Sequence, residues 1–204
     1  MAFLCYISRM GEIKSALERA LERTKDVKSD PESWRRHEAE QDGKRLYARL
    51  RNGDDMDLAA ELSSIPKDRR PWVRQGLFDV ALTNLTLPQN EADLAMVDVS
   101  EQALTQLVRD TGMLKELMGQ VRQFFRQYLD DRNQLTEQLT QQFEPRLRQR
   151  EQQYQQQYGR AIKMDPMQDP EFAQMLQDHL GRLDGQYRGA LQEVYGHLRS
   201  MFAA

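Results

Sequence analysis

Apolar side chains recur along the chain at steps of three and four residues, the spacing that lines one face of an α-helix. The longest series begins at Met113. Leu114, Leu117, Val121, Phe124, Phe125, Tyr128, Leu135, Leu139, Phe143, Leu147, Tyr154 and Tyr158 fall within a stripe roughly 160° wide at 100° per residue. The stripe persists on both sides of Pro145, so the proline is expected to kink or locally break the helix without redirecting it much. A continuous helix over 113–158 would span about 69 Å at 1.5 Å per residue. A compact domain of this size cannot cover that length, so the far end is expected to project or to pair with another chain. Asp165-Pro166 and Asp169-Pro170 then mark a turn, with Asp169 as the N-cap of a last helix and Pro170 at its first position. Phe172, Leu176, Leu180, Leu183, Tyr187, Leu191, Val194, Leu198 and Met201 follow with coiled-coil-like spacing over about four heptads. The simplest assembly is an antiparallel hairpin, 113–158 against 170–202.

The first half of the chain predicts shorter helices. Ile13, Leu17, Ala20, Leu21 and Thr24 form one stripe, and the mixed charges on its other faces favour a partner helix over a membrane surface. Asp30-Pro31-Glu32 starts a second helix whose apolar face is sparse (Trp34, Leu46, Tyr47, Leu50), and Gly53 is placed to end it. Asp55 is expected to cap a short helix through Leu62, and Pro66 and Pro71 bracket a turn. Residues 72–86 are the most apolar stretch and are expected at the centre of the core. Pro88 ends that helix, Asn90 caps the next (Leu94, Val97, Leu104, Leu107, Val108), and Gly112 is a break or a tolerated glycine. The prediction is all-α: a disordered tail over 1–10, a bundle of short helices over 11–111, and a long antiparallel helical hairpin with coiled-coil-like packing over 112–204. Met10 is a second candidate start, and Gly11 and Ser15 would then fit a weak myristoylation pattern.

Composition supports helices. Val, Ile and Thr number 8, 4 and 7, against 25 Leu, 22 Arg and 23 Gln, which disfavours an extended sheet. Net charge is −3, distributed as +3 over residues 1–53, −6 over 54–111, +2 over 112–160 and −2 over 161–204. No segment has the basic density that duplex binding needs, and alternating charge suits helices packed within or between chains. A lone cysteine, Cys5, forms no internal disulfide, and no apolar run reaches signal-peptide or membrane length, so a cytoplasmic protein is expected.

Candidate interaction residues each carry two readings. Gly181, Gly185 and Gly189, with Gly196 and Ser200, lie opposite the apolar stripe of the last helix. They are either a second packing face for a helix or subunit, or glycines tolerated on a solvated face. Residues 134–157 hold ten Gln, ending near Tyr154 and Tyr158: a solvated helix end, or an arm with two tyrosine contact points. Arg132 and Arg150 sit on the centre line of the long stripe, where they snorkel or pair with a partner's acid to fix register. Arg69, Arg70, Trp72 and Arg74, and separately Trp34, Arg35, Arg36 and His37, could touch phosphates or bases. Neighbouring acids favour instead a solvated face with a buried Trp.

No metal site or cofactor is implied. His179 and His197 are 18 residues apart, about 27 Å along one helix, and no Glu-x-x-His pair exists. Phosphate-loop, dinucleotide, nucleophile-elbow and zinc-protease motifs are absent. The expected function is a non-catalytic interaction module: an adaptor, assembly factor or chaperone-like protein that presents helical arms to a protein partner or self-associates as a homo-oligomer. Two rivals are a nucleic-acid-associated protein using the Arg/Trp clusters, and an enzyme or small-molecule binder with a polar site inside the bundle.

Overall fold

The computed structural model describes residues 30–203. The tail over 1–10, the alternative start, the Gly11/Ser15 pattern and the helix over 13–24 lie outside the described residues. Compact packing divides the chain into residues 1–38 and 39–204. Within the first unit, Asp30 accepts a hydrogen bond from the Glu32 amide and opens α1 (Pro31–Arg51). Trp34 is 65% exposed there, against the expectation of a buried ring.

In the second unit α1 continues and ends as its glycine predicts: Gly53 takes a left-handed φ of 78° and donates to the Leu50 carbonyl. The short α2 (Leu58–Ser64) starts later than expected. Asp57, not Asp55, adjoins the first turn, and its carboxylate accepts from the Ala59 and Ala60 amides. Pro71 sits in the first turn of α3 (Arg70–Asn84). This helix ends four residues before Pro88, because Leu85 leaves it to become fully buried and gives its carbonyl to the Tyr195 hydroxyl. A 3-10 turn (Glu91–Leu94) leads into α4 (Ala95–Thr105). The capping there runs through Asp93, whose carboxylate takes the Gln89 and Asn90 amides.

Asp110 accepts from the Met113 amide and opens α5 (Thr111–Tyr158). Gly112 falls in the first turn and is tolerated. The helix has 48 residues and runs unbroken through Pro145, about 72 Å of continuous α-helix. Gly159 ends it with a left-handed φ of 66°. After a 3-10 turn (Pro166–Gln168), Asp169 accepts from the Glu171 and Phe172 amides and opens α6 (Pro170–Ala203). No strand occurs among the described residues, and the fold class is all-α.

The main core joins α1 to α4 with the first turns of α5 (Leu114, Met118, Val121, Phe125) and the last turns of α6 (Leu191, Leu198). One crossing in it, α1 over α3, is backbone on backbone. A Cβ on Gly43 of α1 would lie 2.1 Å from the Val73 carbonyl oxygen of α3, and one on Gly76 would lie 2.1 Å from that of Glu40. Ser100 is fully buried; it donates to the Ala81 carbonyl and meets the Tyr47 hydroxyl at 2.9 Å. A second, smaller core (Leu139, Phe143, Leu147, Phe172) lies farther along the α5/α6 pair.

Candidate functional site

The α5/α6 hairpin is antiparallel, and a reciprocal pair of hydrogen bonds holds its middle. The Tyr128 hydroxyl of α5 donates to Asp184 of α6 at 2.7 Å, and the Tyr187 hydroxyl of α6 donates to Asp131 of α5 at 2.6 Å. Each helix offers one Tyr and one Asp three residues apart, on the same face. The two rings meet edge to face at 5.0 Å, with Phe124 4.9 Å from Tyr187. Burial, and then the accepting carboxylate, pushes each phenol up to about 12.

Farther out, Phe143 and Phe172 pack at 5.3 Å, and the guanidinium groups of Arg146 and Arg150 lie 5.8 and 5.9 Å from the Phe143 ring centroid. Arg150 pairs with Asp169 and, at 2.6 Å, with Glu171, while Arg146 also pairs with Glu171. Burial alone would raise the Asp169 carboxyl; the Phe172 and Glu171 amides and the Arg150 charge outweigh it and hold the group below its ordinary value. This clamp answers the question posed by Arg150 on the apolar stripe: its acids come from the same chain.

Beyond the clamp the hairpin has a free end. Met164 folds back through its amide onto Glu151 at 2.6 Å, and Asp165 accepts from the Met167 amide. The rings of Tyr154 and Tyr158 lie 4.6 Å apart. Tyr158, Ile162 and Met167 are 58%, 37% and 54% exposed, three of the five large exposed hydrophobics among the described residues. Composition had pointed to Tyr154 and Tyr158. Ile162 and Met167 were missed because they fall in a turn, outside any helical stripe.

The other candidates are distributed differently. Arg132 donates to the Gln89 side chain at 2.9 Å and borders an open groove of about 400 Å³ floored by Ala173, Leu176, Leu180 and Gly181. A Cβ added to Gly181, Gly185 or Gly189 would meet nothing within 4 Å, so this stripe faces open space. Trp72 is half-buried against the main core. The arginines around it have structural partners: Arg69 pairs with Asp42 at 3.0 Å, and Arg70 donates to the Ser63 and Ile65 carbonyls at the end of α2. Arg74 donates to the Gln106 and Leu107 carbonyls just past α4. Burial, then the neighbouring Arg70 charge, draws the Arg74 guanidinium below its ordinary value. Arg70 and Arg74 thus close the ends of neighbouring helices, while Arg69 ties the start of α3 to the middle of α1. Arg35 and Arg36 lie on exposed turns of α1 beside Trp34, in the separate first unit.

Asp131 and Asp184 were invisible to the apolar pattern, although Tyr-x-x-Asp at 128–131 and Asp-x-x-Tyr at 184–187 are a readable mirror pair. Among the described residues no group of three or more His, Cys, Asp or Glu is placed to hold a metal ion, and no helix is long and apolar enough to cross a membrane.

A family described as a family of unknown function (DUF6657) matches residues 59–200, and the chain belongs to it. No curated protein and no solved structure matches the chain. The matched span contains the Tyr–Asp pairs, the Arg150 clamp and the free end of the hairpin.

Proposed function

We propose that this member of the family is a non-catalytic helical interaction module of the cytoplasm, an adaptor, assembly factor or chaperone-like protein that presents the free end of its hairpin to a protein partner. One observation carries the reading: exposed large apolar side chains concentrate in the ten residues 158–167, at the end farthest along the hairpin from the main core. Exposed apolar clusters on soluble proteins mark contact sites, and tyrosine brings area and a hydroxyl at low entropic cost. The Tyr154 and Tyr158 rings lie against each other, 4.6 Å apart and tilted by 37°, a contact that favours preorganisation. The open glycine stripe of α6 is a second candidate face, for a helix of a partner or of another copy in a coiled-coil-like contact.

The test is the size of the assembly in extracts of the native cell. The full chain is expected to elute well above its own 23.9 kDa. Tyr154→Ser with Tyr158→Ser is expected to return it to the free chain with an unchanged thermal midpoint. Elution of the unaltered chain at its own mass counts against the reading. Light scattering on the purified protein separates self-association from a second protein. Gly185→Leu tests the glycine face: unchanged assembly, with the gain in stability that helix propensity alone gives, would remove it from the account.

A further inference from the structure

The cations at the free end differ in how they are paired. From Gln152 to Met164 the only ionic residues are Arg160 and Lys163. Neither has a hydrogen-bond or ion-pair partner among the described residues. The cations a few turns back are all matched within the chain: Arg146 and Arg150 by Glu171 and Asp169, Arg148 by Glu144. The two acids that bracket the stretch accept backbone amides, Glu151 from Met164 and Asp165 from Met167. Glu151 and Asp165 keep their negative charge, but neither forms an ion pair with Arg160 or Lys163, so the end of the hairpin offers two cations without ion-pair partners interleaved with exposed Tyr158 and Ile162.

We propose that this end docks on an acidic surface of a different protein, with Arg160 and Lys163 facing carboxylates that rim an apolar patch receiving Tyr158 and Ile162. The inference rests on the interaction-module reading above. Tyr, Met and Arg are the residues enriched at protein interfaces, and complementary rim charge sets register and on-rate. Anionic membranes are the lesser fit, since polybasic lipid sites use about four to eight cations. Tip-to-tip contact between two copies would bring like charges together.

The experiment places photoreactive benzoylphenylalanine at position 158 of the full chain in its native cell. After illumination, the cross-linked peptide is mapped by mass spectrometry. One protein other than this chain is expected, joined through a segment of net negative charge. Arg160→Glu with Lys163→Glu is expected to cut the yield at least about tenfold while helical content is retained. Acid-to-lysine changes in the mapped segment are expected to restore it. An unchanged yield on charge reversal overturns the proposal, as do cross-links to lipid, to another copy or to a segment without acids, while a protein cross-link in these cases leaves the module reading standing. No cross-link from position 158 overturns both.

Discussion

Gly43 and Gly76 occupy positions that no other residue fits, because an added Cβ on either would lie 2.1 Å from a carbonyl oxygen of the facing helix. Ala at either position is expected to cost on the order of 3 kcal/mol through overpacking of a crossing with no room to relax. Gly185→Ala, facing open space, is expected to gain about 1 kcal/mol from helix propensity. Chemical denaturation of the three variants checks the contrast. The sequence draws attention to the wrong glycines: a regular stripe is conspicuous, whereas Gly43 and Gly76 are isolated and become a pair only when α1 crosses α3. The tyrosines of the hairpin make a second residue-level case. Tyr128→Phe is expected to lose about 1 kcal/mol, and Asp184→Ala more, since it leaves a buried hydroxyl without an acceptor. Both phenols are raised from 10.0 to about 12, so the fold favours their neutral forms. Their contribution is complete below pH 10 and is lost as pH rises from 10 towards 12. A denaturant midpoint that falls over this window in the native chain, and falls less in Tyr128→Phe with Tyr187→Phe, is the expected result.

Among the elements, the long ones were the most legible. Both arms of the hairpin, the Asp169 cap and the Gly53 terminator follow from spacing and local capping chemistry. The limits of the short helices were less so, because two nearby residues can each supply a cap or a stop and tertiary packing chooses. Asp57 caps α2 although Asp55 is equally acidic, and Leu85 leaves α3 well before Pro88 because burial of its side chain decides. Pro145 is the other element-scale case. It removes one amide donor from the ladder, yet α5 continues, held on both sides by Leu139, Phe143 and Leu147 in the smaller core. Pro145→Ala is expected to slow amide exchange over residues 141–149 by restoring that hydrogen bond, with little change at residues 114–125. Asp169→Ala is expected to do the reverse at the start of α6: faster exchange over 170–175, with the main core untouched. Since the Asp169 carboxyl is held below its ordinary value, its contribution is present above that value and is lost as pH falls below the usual carboxylate range.

For the whole molecule, stability and presentation occupy opposite ends of one helix. The first turns of α5 belong to the main core, and its last turns carry Tyr154 and Tyr158 beyond the smaller one. That division was legible in outline, since 48 helical residues exceed what a core of this size can cover. The chemistry of the free end was only half legible. Two of its contact residues sit on the helical stripe, while Ile162, Met167 and the unmatched pair Arg160 and Lys163 gain meaning only when the turn is placed in space. Presentation of the tip depends above all on α5 remaining one rigid arm through Pro145. Gln120 and Gln156 are both exposed on that helix and are 36 residues apart, ten full turns, hence on the same side and about 54 Å apart. Spin labels at these two positions, with Cys5 replaced by Ser, report the separation directly by pulsed dipolar resonance. A single narrow distribution near about 54 Å is the predicted result. A broad distribution or a clearly shorter distance would mean that the arm breaks at Pro145 and does not hold its tyrosines away from the core.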